Sequence, residues 1–342
     1  MNSLFSRESD EWKVIPMAKT TVGVDIGSGE LKLVQWDGGR VHRAVRRTMP
    51  DNLVRSDHII SFEALADFIK ETAREERISG KNCAVVLPAN QVYLRRVTMP
   101  AMNVEQLGVN LPYEFRDFLT MNKDKYFYDY SVNDIRQDES GAPGEMDLTA
   151  AAVAKETIAE YRDMFRRAGF RLKTAVPAEC AYANLLRALP VRECCIIDIG
   201  HAQTRVHFFT GARFETSRVI DIGLSTVDAA IADASGMDEH TARTYRQSNH
   251  ENTQEAEAAR NVYGAIALDI RKAVNFYGFN NRESDLRDAW CIGGGAHIPA
   301  LCSAVAQAVD LTLHPISELL SSAAEETEAP GFFTAAIGAA MQ

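Results

Sequence analysis

The sequence has no excess of positive charge. Its 342 residues include 37 Lys and Arg against 47 Asp and Glu, which gives a net charge of −10 and a pI of about 5.4. There is therefore no long-range positive field to attract nucleic acid, and we expect no nucleic-acid partner. The one basic cluster is interpreted as a solvated strand face without a function; it consists of Arg40, Arg43, Arg46 and Arg47.

Long apolar runs and paired cysteines are also missing. No uninterrupted apolar stretch approaches the roughly 20 residues of a membrane span, so we expect a cytoplasmic chain without a span of its own. The six cysteines lie in apolar runs without the Cys-x-x-Cys spacing of metal sites, as expected in a reducing compartment. Residues 1–19 are charged and lack the apolar segment of a signal peptide, and we expect them to form a disordered tail.

An internal repeat is present at an offset of 173 residues. DIGSGELKLVQWDGGRV, which begins at Asp25, aligns without a gap on DIGHAQTRVHFFTGARF, which begins at Asp198. Each copy has an apolar run, a polar bend, a second apolar run and a Gly-centred turn, which predicts three strands joined by tight turns. We infer two related lobes, which a chain of this length with 46% hydrophobic residues can support.

The rest of the chain alternates between helical and strand patterns. Helical spacing of apolar residues predicts helices over residues 61–77, 158–168 and 253–277. Further strands are predicted over residues 82–87, 148–154 and 289–292, and a polar loop over residues 134–147. This order predicts a mixed α/β fold.

The two Asp-Ile-Gly bends are candidate phosphate sites. In each bend a carboxylate ends a strand and small residues follow, so backbone N–H groups can form an anion-binding nest. The predicted phosphate-binding residues of the bends are Gly27, Ser28 and Gly29 in the first copy, and Gly200, His201, Ala202, Gln203 and Thr204 in the second. Facing each other across a cleft, Asp25 and Asp198 would hold Mg²⁺ through water, since magnesium dehydrates reluctantly.

A third glycine run follows a predicted strand and precedes a helix expected to begin near Pro299. It consists of Gly293, Gly294, Gly295 and Ala296. The three glycines have no side chains in the way, so a flat base and a ribose can lie against the backbone. Each motif alone is more often a simple turn, but the joint order of the three, together with the repeat, favours a nucleotide cleft.

These motifs resemble those of the actin, heat-shock chaperone and sugar-kinase superfamily. The segment from Asp25 to Lys32 resembles its first phosphate motif, which adds Lys32 to the predicted phosphate-binding residues. Asp198 to Thr204 resembles the second phosphate motif, and the third glycine run resembles the adenosine motif. The two crossing-helix motifs of the superfamily are matched by PAECAYA, from Pro177, and AAIGAA, from Ala335.

Within that superfamily the chain is most similar to the type IV pilus assembly protein PilM family, itself similar to the cell-division protein FtsA. The likeness runs from about Thr21 to the C-terminus and includes VLP from Val86, RRVTMP from Arg95, DYSV from Asp129 and AGF from Ala168. It implies an actin-like ATPase fold with two duplicated lobes, and Mg²⁺ and ATP as cofactors. It also implies an adaptor of pilus or related secretion assembly, recruited to the inner face of the membrane by the cytoplasmic N-terminal segment of a PilN-like inner-membrane protein. Self-association is a further expectation.

The resemblance also predicts a division into subdomains. The first lobe core is expected to comprise residues 20–86 with 176–192 and 331–342, and an inserted subdomain residues 87–175. The second lobe core is expected to comprise residues 193–224 with 289–330, and a helical subdomain on the adenosine side residues 225–288. The aromatic residues of the insertion are expected to be mostly core: Phe115, Phe118, Tyr126, Tyr128 and Tyr130.

The chain departs from the family pattern on the adenosine-framing helix. Relatives usually carry Ala-Glu-x-x-Lys there, and the matching residues here are Ala242 to Arg246. Arg243 has only donors and cannot replace an acid that accepts ribose hydroxyls, whereas Arg246 can stack on adenine. We assign both to the adenosine site and expect weaker nucleotide binding than in relatives.

Glu179, in the first crossing motif, is the candidate group that orients an attacking water, although a glutamate there can equally pin a helix. We expect hydrolysis to be slow or absent, with ATP holding the lobes closed. A small-molecule kinase and a filament-forming ATPase of the same fold remain as alternatives.

Overall fold

The computed structural model describes residues 20–55, 57–320, 324 and 327–341. The predicted tail, residues 1–19, lies outside the described residues. The strands are β1 (Thr21–Ile26), β2 (Glu30–Trp36), β3 (Val41–Thr48), β4 (Val54–Arg55), β5 (His58–Ile59), β6 (Asn82–Leu87), β7 (Val92–Pro100), β8 (Tyr126–Gln137), β9 (Pro143–Ala154), β10 (Arg171–Pro177), β11 (Glu193–Ile199), β12 (Thr204–Thr210), β13 (Arg213–Ile220), β14 (Asp288–Ile292) and β15 (Thr312–His314).

The helices alternate with these strands and confirm the mixed α/β prediction. They are α1 (Phe62–Glu75), α2 (Val104–Asn110), α3 (Lys155–Ala168), α4 (Ala178–Leu186), α5 (Leu224–Ser235), α6 (Glu239–Ser248), α7 (Glu257–Asn280), α8 (Pro299–Ala308), α9 (Ile316–Leu320) and α10 (Thr334–Ala340). The helices predicted from periodicity correspond to α1, α3 and α7, and α8 begins at Pro299 as predicted.

The internal repeat is present as two sheets of the same topology. The first sheet has the order β10-β6-β1-β2-β3 and the second β15-β14-β11-β12-β13. In each, three consecutive strands form an antiparallel meander. A later strand pairs in parallel with the first strand of the meander, and a further strand pairs in parallel with that one. Asp25 pairs with Lys32 in the first sheet, and Asp198 pairs with Arg205 at the equivalent place in the second. The predicted two duplicated lobes are therefore confirmed.

The largest buried cluster is shared by the two lobes. It joins Val34 and Ala84 of the first sheet to Ile196 and Trp290 of the second, with Tyr182 of α4 among them. Separate clusters fill the outer faces, between the first sheet and α1 and α3, and between the second sheet and α5, α7 and α8. Both lobes therefore share one apolar interior near the cleft.

The helices predicted from the two crossing motifs, α4 and α10, touch backbone to backbone. A Cβ on Gly338 would overlap the carbonyl oxygen of Ala181, so only glycine allows this approach. The amide of Asn184 donates to the carbonyl oxygen of Gly338 at 2.9 Å, which satisfies that buried group. The contact fixes the two crossing helices beneath the cleft.

A third sheet, of order β7-β9-β8, lies within the predicted insertion and packs with α2 around its own small core. The predicted loop over residues 134–147 is wrong for most of its length, because β8 continues to Gln137 and β9 begins at Pro143. Backbone N–H groups of Ser140 and Ala142 donate to the carboxylate of Asp138, so a short polar turn closes a long hairpin.

The packing of α3 and β10 bears on where the insertion ends. Tyr161 and Phe165 of α3 are buried against the first sheet, and β10 is a strand of that sheet. The sheet of the insertion itself ends with β9, at Ala154. The subdomain boundaries stay a prediction, and this packing favours residue 154 over residue 175 as the end of the insertion.

The aromatic set of the insertion is mostly core, as expected. Phe115 and Tyr126 are buried, and Tyr128 and Tyr130 are partly buried against the same cluster. Phe118 is the exception: it is half exposed, and the guanidinium of Arg95 lies over its ring at 4.4 Å.

Candidate functional site

A cleft of about 450 Å³ lies between the lobes, and the two Asp-Ile-Gly bends meet in it. Its walls include both bends, the first two glycines of the third run, the start of α4 and the inner face of α6. Most of the sequence-predicted site residues line it, namely Asp25, Gly27, Ser28, Gly29, Lys32, Glu179, Asp198, Gly200, His201, Ala202, Gln203, Arg243, Arg246, Gly293 and Gly294. Thr204, Gly295 and Ala296 are not among the lining residues.

The first bend is built by a hydrogen bond from the N–H of Gly27 to the carbonyl oxygen of Glu30, at 3.0 Å. The carbonyl oxygen of Gly29 accepts the N–H of Met49, also at 3.0 Å. Within the described part of the chain, the N–H groups of Ser28 and Gly29 have no backbone acceptor outside helices and strands. They are the donors that such a bend offers to an anion.

The second bend has the same construction. The N–H of Gly200 donates to the carbonyl oxygen of Gln203 at 3.0 Å, and α5 begins against the bend, since the N–H of Leu224 donates to the carbonyl oxygen of Gly200. Among the described residues, the N–H groups of His201 and Ala202 likewise have no backbone acceptor outside helices and strands. The equivalent donors are therefore available in both lobes.

Thr204, predicted to bind phosphate, is turned away from the cleft. It is fully buried, and its hydroxyl donates to the carbonyl oxygen of Ile222 at 2.8 Å. The side chain connects the second bend to the segment before α5. Its position in the structure gives it a role in shaping the bend.

The bends approach so closely that they touch. A Cβ on Gly29 would lie 2.9 Å from Cβ of His201 and 3.3 Å from a guanidinium nitrogen of Arg243. Burial, and next the charge of Arg243, lower the pKa of His201 to about 4, so its imidazole is neutral at pH 7. A ligand lying along this seam is within reach of both lobes.

Each bend aspartate has a partner. Nζ of Lys32 lies 2.8 Å from Oδ2 of Asp25, and although burial alone would lower the pKa of Lys32, Asp25 raises it. The hydroxyl of Tyr182 donates to Oδ2 of Asp198 at 2.9 Å. Arg205, the repeat equivalent of Lys32, pairs instead with Asp57 at 2.6 Å. Within the described ranges, these hydrogen bonds and ion pairs engage Oδ2 of each bend aspartate and leave its Oδ1 without a hydrogen bond.

No group of three or more His, Cys, Asp or Glu side chains in the described ranges is arranged to hold a metal ion. The predicted pair of Asp25 and Asp198 is a smaller donor set. Two carboxylates can hold only a metal that keeps most of its bound waters and is also coordinated by the phosphates of a substrate. Mg²⁺ usually binds in this way. The metal role of the two aspartates stays a prediction.

The third glycine run is explained largely by packing against β11. Gly293 has a φ of +77°, and a Cβ there would lie 2.6 Å from Oδ1 of Asp198. A Cβ on Gly295 would overlap the side chain of Ile199, and one on Gly294 would lie 3.0 Å from Leu224. These protein contacts by themselves account for glycine at the three positions, and the adenosine role of Gly293 to Ala296 stays a prediction.

The two arginines of α6 lie in different settings. Arg246 is 4% exposed and makes a two-pronged pair with Asp228, its Nε and Nη2 lying 2.5 and 3.1 Å from the two carboxylate oxygens. Arg243, expected at the adenosine, reaches the first bend and donates from Nη2 to the carbonyl oxygen of Gly29 at 2.6 Å. The structure therefore places Arg243 beside the first bend, whose role in phosphate binding stays a prediction.

Glu179, at the start of α4, is held by the second lobe. It is 7% exposed, accepts the hydroxyl of Ser217 at 3.2 Å, and lies 3.4 Å from Nδ1 of the buried His207, without the alignment of a hydrogen bond. Burial alone would raise its pKa, but these contacts outweigh it and lower the pKa of Glu179 to about 2. The carboxylate is therefore ionised and links α4 to β12 and β13.

Sequence reasoning missed an aromatic stack in the wall of the cleft. The rings of His297 and Phe332 are parallel, 3.7 Å apart, and the guanidinium of Arg46 lies 3.9 Å from the Phe332 ring centre. Arg46 belongs to the basic cluster that the sequence analysis interprets as a solvated strand face. The alternation of its arginines with small or apolar residues along β3 is the sequence feature that could have indicated a cleft-facing side of this strand. Tyr182 lies within the first crossing motif but was not singled out either.

None of the helices in the described part of the chain has the length and apolar character needed to cross a membrane. All six cysteines are free thiols.

Comparison with known proteins identifies the fold and the family. A solved structure described as a PilM–PilN type IV pilus biogenesis complex superposes with a TM-score of 0.77 at 21% identity, covering 94% of this chain and 97% of that one. The ethanolamine utilization protein EutJ from Carboxydothermus hydrogenoformans superposes with a TM-score of 0.61 at 15% identity, covering 94% and 89%. No curated protein sequence matches the chain. Residues 23–328 match the family described as type IV pilus assembly protein PilM, and the chain therefore belongs to that family.

Proposed function

We propose that this chain is a nucleotide-binding adaptor of type IV pilus assembly, in which ATP with Mg²⁺ closes the two lobes and thereby fixes a surface for a membrane-protein tail. The observation that carries the nucleotide part is the meeting of the two bends in one cleft. A methyl group on Gly29 would collide with His201 of the other lobe. A phosphate chain along that seam therefore contacts both lobes, so its binding favours the closed arrangement.

The residues of the cleft fit such a ligand. The N–H groups of Ser28 and Gly29 would donate to a phosphate from one lobe, and those of His201 and Ala202 from the other, since they have no such backbone acceptor among the described residues. Lys32 adds a partly buried positive charge beside Asp25. Bound ATP would supply a polyanion and Mg²⁺ its counter-ion. Asp25 and Asp198 would orient the water molecules of the metal.

The adenosine end fits the side of the cleft between α6 and the third glycine run. Gln247 and Gln254 line this wall together with Gly294. Their amide groups can both donate and accept hydrogen bonds, as recognition of a base and a ribose requires. Arg246 is engaged with Asp228, so it contributes to this wall as one half of a buried ion pair.

Slow or absent hydrolysis follows from the setting of Glu179. A general base works best when its pKa lies near the operating pH. With a pKa of about 2, the Glu179 carboxylate is a weak proton acceptor, and its contacts with Ser217 and His207 hold it against the second lobe. We propose that Glu179 at most orients a water molecule. Whether or not it does so, it links the two lobes.

The partner in this proposal is the cytoplasmic N-terminal segment of a PilN-like inner-membrane protein. The relative with the TM-score of 0.77 is described as a PilM–PilN complex, and this chain belongs to the PilM family. Such a contact would recruit a cytoplasmic adaptor to the inner face of the membrane. We place the docking groove beside the insertion that carries β7, β8 and β9, as the family resemblance implies.

Co-purification tests the proposal. The full chain is mixed with a tagged tail of the candidate membrane protein, with and without ATP and Mg²⁺, and compared with the Asp25→Ala, Asp198→Ala double variant. We expect nucleotide to strengthen capture of the wild-type chain and to have no effect on the double variant. Asp233→Ala with Asp310→Ala, two exposed aspartates outside the cleft, is the matched charge control.

Two outcomes separate the parts of the proposal. Capture that ignores nucleotide and persists in the double variant would refute gating while leaving the adaptor role. Absence of capture under every condition would refute the partner. Acceleration of ADP formation by a sugar or an acid would favour a kinase, and light scattering that rises with ATP and Mg²⁺ would favour a filament.

A further inference from the structure

Among the described residues, one cation of the cleft has no carboxylate partner. The other four positively charged side chains that line it are each paired: Lys32 with Asp25, Arg46 with Glu30, Arg205 with Asp57 and Arg246 with Asp228. For Arg243 the structure shows, among the described residues, a single hydrogen bond, to the neutral carbonyl oxygen of Gly29. Its positive charge is therefore not balanced by direct contact with an anionic side chain in that part of the chain.

This charge is held out of water. Arg243 is 9% exposed, and its Nε is buried without a hydrogen-bond partner among the described residues. A buried charge that lacks both a partner and a full set of hydrogen bonds is unfavourable by several kcal/mol in general. An anion placed beside the guanidinium would remove that cost.

The position of the guanidinium defines which part of a nucleotide it would meet. It lies against Gly29, whose N–H and that of Ser28 are the donors of the first bend. The second bend is also close, since a Cβ on Gly29 would lie 3.3 Å from Nη2 of Arg243 and 2.9 Å from Cβ of His201. A planar fork of donors at the seam of two anion-binding bends matches the oxygens of a phosphate.

We propose that Arg243 binds the phosphate chain of the nucleotide across the cleft and supplies part of the counter-charge that a divalent cation otherwise provides. This inference rests on the proposed nucleotide-binding function and deepens it. It predicts that ATP binds this chain with only a weak requirement for Mg²⁺. It also predicts that Arg243 distinguishes ATP from adenosine.

Calorimetric titration of the full chain tests this. ATP and adenosine are titrated separately, each in Mg²⁺ and in EDTA, into the wild-type chain and into Arg243→Gln. Loss of a charge-assisted contact predicts ATP binding about 10- to 100-fold weaker in Arg243→Gln, with the larger loss in EDTA. Adenosine affinity is expected to stay unchanged.

Two further variants make the result specific. Arg260→Gln removes the same charge from an exposed arginine of α7 and is expected to leave ATP binding unchanged. Arg243→Lys retains the charge without the fork and is expected to lose about tenfold in ATP affinity, so it replaces Arg243→Gln if that variant does not fold. Thermal unfolding of each variant establishes that it is folded.

Failure of the Arg243 inference can be distinguished from failure of the proposed nucleotide binding. Unchanged ATP affinity of folded Arg243→Gln in EDTA would overturn this inference and leave the proposed function. An equal loss of ATP and adenosine would also overturn it, because the residue would then serve the adenosine. A wild-type chain that binds ATP in neither buffer would overturn the proposed nucleotide binding itself.

Discussion

Gly29 of the first lobe and His201 of the second are packed so closely that a Cβ on the glycine would lie 2.9 Å from Cβ of the histidine. This separation is shorter than carbon atoms tolerate without displacement. The clashing atom is the first of the His201 side chain, so rotation about χ1 cannot remove it. The fit between the lobes therefore requires a glycine at this position.

Gly29→Ala is expected to push the bends apart. Overpacking of this kind costs about 1 to 3 kcal/mol, and we expect ATP affinity to fall by about tenfold or more. Calorimetric titration measures the affinity, and small-angle X-ray scattering reports whether the lobes separate.

Gly264→Ala is the matched control for that variant. Gly264 lies in α7, and a Cβ added there would meet no other described residue within 4 Å outside its own helix, so alanine should stabilise the helix by about 0.5 to 1 kcal/mol and leave ATP binding unchanged. Wild-type affinity in Gly29→Ala would show that contact between the bends does not matter for the ligand.

Tyr182→Phe is expected to lower the free energy of unfolding. Tyr182 is 1% exposed, and burial raises its pKa well above the ordinary range, so its hydroxyl stays the donor to Asp198. A hydrogen bond to a charged group contributes about 1.5 to 3 kcal/mol, and urea unfolding should show a loss of that order.

Tyr263→Phe provides the comparison for the tyrosine. Its hydroxyl is also buried but has no hydrogen-bond partner among the described residues, so its removal should be neutral or slightly stabilising. Equal destabilisation by both substitutions would mean that the contact with Asp198 contributes nothing particular.

Glu179→Gln is expected to have a pH-dependent effect on stability. The folded-state pKa of Glu179 is about 2 against an ordinary value of 4.5, so the unfolded chain binds its proton first as the pH falls. The stabilisation by the ionised carboxylate is complete above about pH 5 and is lost as the pH falls towards about 2.

Urea unfolding at pH 7, 5 and 3 measures this effect. We expect Glu179→Gln to be less stable than the wild-type chain by about 1 to 3 kcal/mol at pH 7, with a smaller difference at pH 3. Glu145→Gln, at an exposed position paired with Arg136, should show no such trend. A difference that stays constant from pH 7 to pH 3 would disprove the low pKa.

Most of the fold could be predicted from the sequence, because the repeat is local. The residues around Asp25 and Asp198 determine strand, bend and strand within seventeen positions, and the equal topology of the two sheets follows from that. The crossing motifs were identified by their resemblance to those of the superfamily, and the structure explains the glycine in one of them, because α4 and α10 touch at Gly338.

The elements that were missed depend on contacts distant in sequence. The polar residues after Asp134 form the end of a long hairpin, since β9 pairs with them, and nothing in their composition required it. The reach of Arg243 to Gly29 joins residues from different lobes, so no local pattern could show it. Similarly, the need for Gly295 comes from Ile199 on a neighbouring strand.

The central claim is that Asp25 and Asp198 serve one triphosphate from opposite lobes. Calorimetric titration of ATP with Mg²⁺ into the wild-type chain, Asp25→Ala, Asp198→Ala and the double variant tests it most directly. We predict that each single substitution weakens ATP binding, that the two losses are not additive, and that adenosine affinity is kept. Wild-type ATP affinity in either single variant, or two losses that simply add, would contradict a shared ligand between the bends.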